Sequence, residues 1–309
     1  MADKIVVLGA GGFIGRRLCE RWAGREPVIA VTREPEPLGS GIEVRALGDL
    51  GAATDWRSLF AGARAVIHLA NRAHAPAGRQ DWLEAEVAMA AAIARAARAE
   101  DARLLYMSSI KVHGEASRTP FRASDTPHPA DAYGRAKWQS ESAMRETGVA
   151  LSVIRPPLVY GPGVKANFLA LLRWVDRGLP LPLASIDNRR SLIFLDNLLD
   201  LVDSALAHEP GLFLARDDDE VSTPALIRII AEKLGRPARL VPCPPAWLAM
   251  AVRCLGQGAA AERLLGTLSL DDGATRQSLG WRPKTSLADG IAATCRWYRS
   301  AGGPAHSRL

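Results

Sequence analysis

The stretch Lys4-Ile-Val-Val-Leu-Gly-Ala-Gly-Gly-Phe-Ile-Gly15 decides the fold. Its first part is an apolar, β-branched run typical of a buried strand, and residues 16–22 carry apolar side chains at helical spacing. A strand, a glycine-rich turn and a helix in this order form the context in which a dinucleotide is bound. Gly9 permits the tight turn, Gly12 lets the backbone approach a pyrophosphate, and Gly15 lets the helix pack closely on the strand. The start of the helix then offers N–H groups and a partial positive charge to the phosphates.

The same alternation of apolar strands and helices continues along the chain. Strands are predicted at 28–32, 42–46, 65–70, 104–109, 151–155, 192–195 and 212–215, and helices at 56–60, 81–98, 133–147, 167–177, 223–234, 244–255 and 287–299. Asp196 is expected to be the N-cap of a further helix. The pattern predicts an α/β fold: a doubly wound parallel sheet with a smaller C-terminal lobe. We expect residues 1–162, joined by 191–216, to form the dinucleotide-binding domain, and residues 163–190 and 217–309 to form the substrate-binding lobe.

The composition is that of an ordinary globular protein, with 48% hydrophobic and 23% charged residues in a chain of 309. The net charge is +6, but the basic residues are scattered, which favours anionic small molecules over nucleic acid as partners. No apolar run reaches the ~18 residues that a membrane span needs. The cysteines are far apart and form no cluster with histidine, so no metal site is predicted, and reduced thiols are expected, as in a cytoplasmic protein.

A phenol and an ammonium lie four residues apart in Tyr133-Gly-Arg-Ala-Lys137. On a helix these positions share a face, and a lysine beside a tyrosine lowers the pKa of the phenol. A phenol tuned in this way can exchange a proton with a carbonyl or alcohol oxygen. The pair Ser108-Ser109 follows a predicted buried strand, at the sheet edge where open α/β folds bind ligands. The alternative for Ser109 is a hydroxyl that only caps a turn.

Together, the Gly-x-x-Gly-x-x-Gly spacing and Tyr133-x-x-x-Lys137 resemble the extended short-chain dehydrogenases/reductases, the NAD-dependent epimerase/dehydratase family, which act mostly on nucleotide sugars. The resemblance implies that Ser109 hydrogen-bonds the sugar oxygen at the reacting carbon and that Tyr133 transfers the proton. Lys137 is expected to lower the Tyr133 pKa and to bind the cofactor ribose. The residues that the resemblance places around the cofactor are Gly9, Gly12, Phe13, Ile14, Gly15, Asp49, Leu50, Leu69, Ala70, Tyr133, Lys137 and Pro156.

The choice of cofactor depends on the end of the second strand, where Thr32 and Arg33 stand. An acidic residue there would bind the ribose 2′-hydroxyl of NAD, whereas an arginine can pair with the 2′-phosphate of NADP. NADP(H) is therefore favoured. NAD stays open, because Glu34 could bind the ribose while Arg33 points to solvent.

Other residues resemble the family's substrate contacts. Arg190 resembles a diphosphate-binding arginine, and Asn167 resembles a residue that assists it. Leu181 lies in an extended stretch expected to flank a uracil ring, while Ser109 and Lys111 are expected beside the sugar. The alternative for Arg190 is a surface charge before a strand.

Three positions differ from related enzymes. Ile110 and Lys111 stand where sugar-nucleotide dehydratases carry an Asp-Glu pair, which counts against elimination of water. Ala88 is the expected position of an asparagine that the family often has in the helix at 81–98. His113 stands where the family often has tyrosine, and we assign it no role.

The sequence therefore predicts an NADP(H)-dependent enzyme that reduces the 4-keto group of a UDP-4-keto-6-deoxy-N-acetylhexosamine in O-antigen or capsule biosynthesis. The run 161–199 favours UDP-sugars as substrates through its resemblance to bacterial 4-epimerases and 4-ketoreductases. A UDP-sugar 4-epimerase with tightly bound NAD is the first alternative. A non-catalytic dinucleotide-sensing or scaffold protein is the alternative of another class, and a homodimer stays open.

Overall fold

The computed structural model describes residues 4–70, 80–254 and 265–300. The strands are β1 (Lys4–Leu8), β2 (Val28–Thr32), β3 (Ile42–Ala46), β4 (Ala63–His68), β5 (Arg103–Met107), β6 (Leu151–Arg155), β7 (Leu158–Tyr160), β8 (Leu192–Phe194) and β9 (Leu212–Leu214). The helices are α1 (Phe13–Trp22), α2 (Trp56–Phe60), α3 (Gln80–Ala99), α4 (Ala132–Glu146), α5 (Ala166–Asp176), α6 (Leu195–Ala207), α7 (Thr223–Leu234), α8 (Pro245–Cys254), α9 (Gly273–Leu279) and α10 (Leu287–Ser300).

A seven-stranded parallel sheet in the order β3-β2-β1-β4-β5-β6-β9 forms the centre of the fold. Val6 of β1 lies opposite Ile29 of β2 on one side and Val66 of β4 on the other. The chain therefore winds outward in both directions from the β1–β4 pair, which is the topological switch point. This order confirms the predicted doubly wound α/β fold and places the carboxyl ends of β1, β4, β5 and β6 along one edge.

Both faces of the sheet are covered, as the alternation of side chains in β1 shows. Ile5 and Val7 face a cluster that includes the side chains of α1 and α6, whereas Val6 and Leu8 face a cluster supplied by α2, α3 and α4. All four side chains are at most 1% exposed. A parallel strand buried on both faces reads as a continuous apolar run, which is why the stretch was recognisable in the sequence.

The remaining described residues form a lobe with its own apolar core around α5, α7 and α10. A two-stranded parallel sheet of β7 and β8 joins this lobe to the main sheet. There the Tyr160 hydroxyl donates to Asp217 at 2.7 Å, and both residues are fully buried. The predicted strand at 192–195 thus pairs outside the main sheet, with the unpredicted strand β7.

One predicted cap is wrong. Asp196 does not begin α6, because Phe194 is the N-cap and Asp196 lies in the first turn. Its carboxylate accepts two hydrogen bonds from Arg17 of α1, at 2.9 and 3.1 Å. A carboxylate in the first turn is stabilised by the helix dipole without capping, so the same sequence signal fits both positions.

In the part of the chain that the structure describes, no helix has the length and apolarity to cross a bilayer. The predicted helix at 244–255 is α8, although Leu255 lies outside the described residues. Leu248 of α8 packs against the lobe core, whereas Trp247 and Met250 are exposed.

Candidate active site

The glycine turn after β1 is shaped by backbone contacts that exclude side chains. Gly9 has φ +81°, and a Cβ added to it would lie 2.6 Å from the Ala70 nitrogen. A Cβ on Gly15 would lie 2.4 Å from the Gly9 carbonyl oxygen. Gly12 is the N-cap of α1, with no side-chain cap and no acidic residue in the first turn. The turn and the helix start therefore fit a dinucleotide pyrophosphate, as the sequence predicts.

Several of the other residues expected around the cofactor lie near this turn or on the adjoining sheet. Leu69 donates its N–H to Leu8 at 3.0 Å and continues the exit of β4 beside β1. Phe13 and Ile14 begin α1 and are half-buried, and Leu50 packs on the sheet. The ring of Phe13 also lies 3.4 Å from where a Cβ on Gly163 would be, so the turn touches the start of the lobe.

An ion pair that the sequence did not indicate lies against the turn. Arg16 of α1 pairs with Glu36, and the Glu36 carboxylate occupies the space into which a side chain at Gly11 would project. The carboxylate follows β2 in an irregular segment, so no periodic pattern marks it in the sequence. Its negative charge lies beside the position expected for the pyrophosphate.

At the end of β2, the Thr32 hydroxyl donates to the Glu34 carbonyl at 2.7 Å, which folds the chain into the next segment. Arg33 pairs with Asp49 at 2.9 Å, and the two side chains are 70% and 71% exposed. Such an exposed pair contributes little free energy, so the guanidinium can leave Asp49 for a phosphate at small cost. Two residues expected at the adenosine thus contact each other.

Ser109 lies directly after β5, in extended conformation, as the N-cap of a single 3₁₀ turn formed by Ile110–Val112. Its Oγ accepts from the Lys111 N–H at 3.3 Å. The N–H of Ile110 donates to the Pro156 carbonyl at 3.0 Å, which ties this turn to the end of β6. A hydroxyl has one proton to donate, so Ser109 can cap the turn and still offer that proton to a substrate oxygen.

The start of α4 brings Tyr133 to the Ser109 turn. Asp131 caps the helix by accepting from Gly134 N–H at 2.7 Å, and a Cβ on Gly134 would lie 2.6 Å from the Lys111 carbonyl oxygen. Lys111 Nζ bonds to Glu115 at 2.8 Å and to Asp131 at 2.7 Å, and it lies 5.8 Å from the centre of the Tyr133 ring. Lys111 therefore fixes the segment around Tyr133, while its role as a substrate contact stays a prediction.

Lys137 lies beneath Tyr133 and is 5% exposed. Its Nζ donates to the Met107 carbonyl at 2.9 Å and lies 5.9 Å from the centre of the Tyr133 ring. Burial lowers the pKa of Lys137 to about 8, although the carboxylates of Glu86 and Glu141 raise it. At neutral pH the ammonium form therefore prevails, and a positive charge beside a phenol favours the phenolate. The structure thus brings together Ser109, Tyr133 and Lys137.

Comparisons with known proteins identify the family of the chain. A model of the NAD dependent epimerase/dehydratase family matches residues 5–213. The chain belongs to this family. It is 33% identical to the UDP-glucose 4-epimerase of Vibrio cholerae over 319 residues, with 97% of each protein covered. It is 28% identical to the dTDP-4-dehydrorhamnose reductase of Mycolicibacterium smegmatis over 253 residues, covering 79% of this chain and 73% of that protein.

The fold of the family is seen in solved structures. The UDP-glucuronic acid 4-epimerase from Bacillus cereus in complex with NAD matches with a TM-score of 0.80 at 19% identity, covering 96% of this chain and 99% of that one. The family model and the Vibrio cholerae relative confirm the family predicted from the glycine turn and the Tyr-Lys pair. The epimerase/dehydratase relatives include nucleotide-sugar epimerases and reductases, and their names do not separate the two activities for this chain.

Behind the Tyr-Lys pair, this member of the epimerase/dehydratase family has a buried network that the sequence analysis missed. Ser108 Oγ donates to Glu141 at 2.5 Å, and Arg155 donates to both Glu141 oxygens at 3.0 and 2.6 Å. Arg155 also bonds to His113 Nε2 at 2.7 Å, and burial and this cation lower the His113 pKa to about 4. His113 is therefore neutral. The network fixes the ends of β5 and β6 and the middle of α4 behind the reactive groups.

The predicted substrate contacts of the lobe lie in different environments. Arg190 is half-buried, and its Nη1 donates to the Gly266 carbonyl at 3.2 Å. Burial lowers the pKa of Arg190, although Glu115 raises it. Asn167 is exposed near the start of α5. Leu181 is 3% exposed and packs in the lobe core. The residues on either side of it in the extended stretch are exposed to solvent. Contact of Leu181 with a uracil ring stays a prediction.

Proposed function

We propose that the chain is an NADP(H)-dependent 4-ketoreductase of a UDP-4-keto-6-deoxy-N-acetylhexosamine, acting in surface polysaccharide biosynthesis. The observation that supports the proposal is the contact between the Ser109 turn and the start of α4, two neighbouring segments that carry a hydroxyl, a phenol and a buried ammonium. Groups of this kind move a proton to an oxygen while a carbonyl is reduced.

A bound nicotinamide cofactor supplies a hydride to the carbonyl carbon. Ser109 donates a hydrogen bond to the carbonyl oxygen and orients it toward Tyr133. Tyr133 delivers its proton to that oxygen, so that the product is the C4 alcohol. Lys137 stabilises the phenolate that remains, and solvent returns the proton. The glycine turn with Phe13 and Ile14 holds the cofactor, and Arg33 pairs with its 2′-phosphate.

Elimination of water would need an acid and a base next to the sugar. Ile110, directly after Ser109, is apolar and 3% exposed. The nearest carboxylates of the turn, Glu115 and Asp131, are both held by Lys111. Burial raises the pKa of Asp131, but the hydrogen bonds from Lys111 and Gly134 hold that pKa below its usual range. Asp131 is therefore a poor proton donor. These contacts support simple reduction over dehydration.

UDP is the proposed carrier because the diphosphate has two candidate partners in the lobe. Arg190 offers a charge in a partly dry environment, where a phosphate contact is stronger than in water, and Asn167 offers an amide. The net charge of +6 also attracts a nucleotide diphosphate.

The second candidate is a UDP-sugar 4-epimerase with tightly bound NAD. The 33% identity with the Vibrio cholerae UDP-glucose 4-epimerase over 97% of both chains favours it. An epimerase would use Ser109, Tyr133 and Lys137 twice. Tyr133 would first accept the hydroxyl proton while NAD takes the hydride from C4, and it would return that proton to the oxygen when the hydride is returned to the other face of C4. The ion pair between Asp49 and Arg33 is compatible with bound NAD, because the guanidinium already has an anionic partner and needs no 2′-phosphate.

One experiment separates the two. The purified chain is denatured and any released nucleotide is identified. The native protein is then incubated with NADPH and a UDP-4-keto-6-deoxy-N-acetylhexosamine, or with UDP-glucose and UDP-N-acetylglucosamine without added nucleotide. Consumption of NADPH with formation of the C4 alcohol supports the reductase. Retained NAD together with interconversion of C4 epimers in the second arm would reject the reductase and support the epimerase. Inactivity in both arms rejects both functions.

A further inference from the structure

A carboxylate interrupts the buried stripe of α3. The positions of α3 that face the sheet repeat at helical spacing and are otherwise apolar; they are Glu86, Met89, Ala90, Ile93, Ala94 and Ala97. Glu86 is 9% exposed, whereas Glu84 and Ala88 on the same helix are exposed. A carboxylate in such a stripe is costly unless a positive charge or hydrogen bonds compensate it.

The surroundings of Glu86 contain the reactive pair. Glu86 lines a small pocket between α3, β5 and α4, and the other residues of that pocket are Trp82, Tyr106, Tyr133, Ala136, Lys137 and Ser140. Glu86 and Lys137 thus line the same pocket, and Tyr133 lines it as well. Opposite charges in such an environment attract more strongly than in water.

Two carboxylates raise the pKa of Lys137, and Glu86 has a larger effect than Glu141. The titratable groups that face Lys137 in the described residues are His68 of β4, Tyr106 of β5, Tyr133 and Glu141 of α4, and Glu86 of α3. Burial and the positive charge of Lys137 lower the pKa of His68 to about 3. Burial raises the pKa of Tyr106 well above its usual range, so both side chains are neutral at neutral pH.

Glu141 is already matched by two arginines. Arg155 binds both of its oxygens, and Arg145 adds a third contact at 2.8 Å. Although burial raises it, the hydrogen bonds from Arg155 hold the pKa of Glu141 below its usual range. The two arginines therefore offset much of the negative charge of Glu141. Glu86 belongs to another helix, α3, and lines the same pocket as Lys137.

We propose that Glu86 is a positioning residue that keeps Lys137 in its ammonium form beneath Tyr133. The proposal rests on the proposed use of Tyr133 and Lys137 as a proton-transferring pair. Without the Glu86 charge, burial would lower the pKa of Lys137 further and would favour the neutral amine. A neutral amine cannot stabilise the phenolate of Tyr133. Glu86 then acts on the reaction through Lys137 and does not touch the substrate.

The direct test follows Lys137 itself by NMR titration of the ¹³Cε signal in protein with labelled lysine. The signal is assigned by its loss in Lys137→Met. Glu86→Gln keeps the size of the side chain and removes its charge, and Glu84→Gln makes the same change on the exposed face of α3. We expect Glu86→Gln to lower the titration midpoint of Lys137 by about one to three pH units, and Glu84→Gln to leave it unchanged.

A second uncharged variant keeps the test possible if Glu86→Gln does not fold. Glu86→Leu suits the apolar stripe of α3, so it removes the carboxylate without leaving a buried amide. It should lower the midpoint like Glu86→Gln. A wild-type midpoint in either folded variant would overturn the proposal. Because the titration needs no substrate, this result is independent of whether the chain reduces a 4-keto sugar.

Kinetics supply a second readout. With the proposed 4-keto substrate and NADPH, the alkaline fall in kcat of Glu86→Gln should begin at a lower pH than in the wild-type enzyme, by the same shift as the NMR midpoint. A uniform loss of kcat at every pH, with an unshifted profile, would indicate a merely structural role and would also overturn the proposal.

Discussion

The two ends of the site hold their charges in opposite ways. At the cofactor end, Arg33 and Asp49 pair with 70% and 71% of their side chains exposed. Behind Tyr133, Arg155 and Glu141 pair with 1% and 0% exposed. An exposed pair adds little stability and rearranges easily, whereas a broken buried pair leaves an uncompensated charge. The cofactor end is therefore suited to exchange one anionic partner for another, and the catalytic end to remain fixed.

The largest expected effect tests this difference directly. Arg155→Met should lower the free energy of unfolding by about 3–5 kcal/mol, because Glu141 loses its bidentate partner in the interior. Arg33→Met, the same substitution at the exposed pair, should lower it by less than about 1 kcal/mol. Urea unfolding of both variants measures the two values. Similar values for the two would mean that burial does not distinguish the pairs.

Tyr133→Phe should reduce turnover by about 100-fold or more, since the ring stays but the proton donor is lost. The affinity for the nicotinamide cofactor should hardly change, because the glycine turn is unaffected. Tyr298→Phe, a phenol that binds Asp176 in the lobe, is the matched control. Turnover within threefold of the wild-type value would remove Tyr133 from the mechanism.

Arg190→Ala should weaken UDP binding by about 30-fold or more, because losing the partner of a charged phosphate typically costs ~2–5 kcal/mol. Calorimetry with UDP and with NADPH on the same protein measures this. NADPH affinity should be unaffected, and Arg189→Ala, at the exposed neighbour, should change neither. If UDP binds Arg190→Ala as tightly as wild type, Arg190 has only a structural role.

The pH dependence of turnover should reflect the buried ammonium. Lys137 loses its proton as the pH rises through its pKa of about 8, so the ammonium form predominates below this value. Above it, kcat should fall about tenfold per pH unit. The fall is measured in a profile of kcat from pH 6 to pH 10, a range that extends about two pH units on either side of the pKa. A constant kcat up to pH 10 would show that the charge of Lys137 is not needed.

The smallest effect concerns the exposed pair. Asp49→Asn removes the carboxylate that competes with a 2′-phosphate for Arg33. Affinity for NADPH should rise relative to NADH by up to about fivefold, which corresponds to a surface pair of at most ~1 kcal/mol. Fluorescence titration with both nucleotides gives the ratio. A ratio that falls instead would mean that Asp49 positions Arg33 for the phosphate.

The sheet and the reactive residues could be predicted because their signals are local. The glycine turn, the apolar strands and Tyr133-x-x-x-Lys137 each lie within a short segment whose period or spacing has one physical reading. β7 could not be predicted in this way. It is a three-residue strand just after Pro156-Pro157, too short to show alternation, and its pairing with β8 depends on residues far along the chain.

The buried charges were missed because a partner on another element leaves no local pattern. Arg155 is the last residue of a predicted strand, but its bonds to Glu141 and His113 join three separate elements. A usable signal was present all the same. Glu86 and Glu141 each occupy a position of a buried helical stripe, and a charge inside such a stripe points to a functional or structural partner.

Gly134 limits how the protein can be redesigned. A glycine within a helix costs about 1 kcal/mol relative to alanine, yet any side chain here would collide with the Lys111 carbonyl, 2.6 Å from its Cβ. Ala136 is buried as well, whereas Arg135 is exposed. Of the residues between Tyr133 and Lys137, only Arg135 is open to variation, so a library that randomised the whole stretch would consist mostly of proteins whose phenol no longer meets the serine turn.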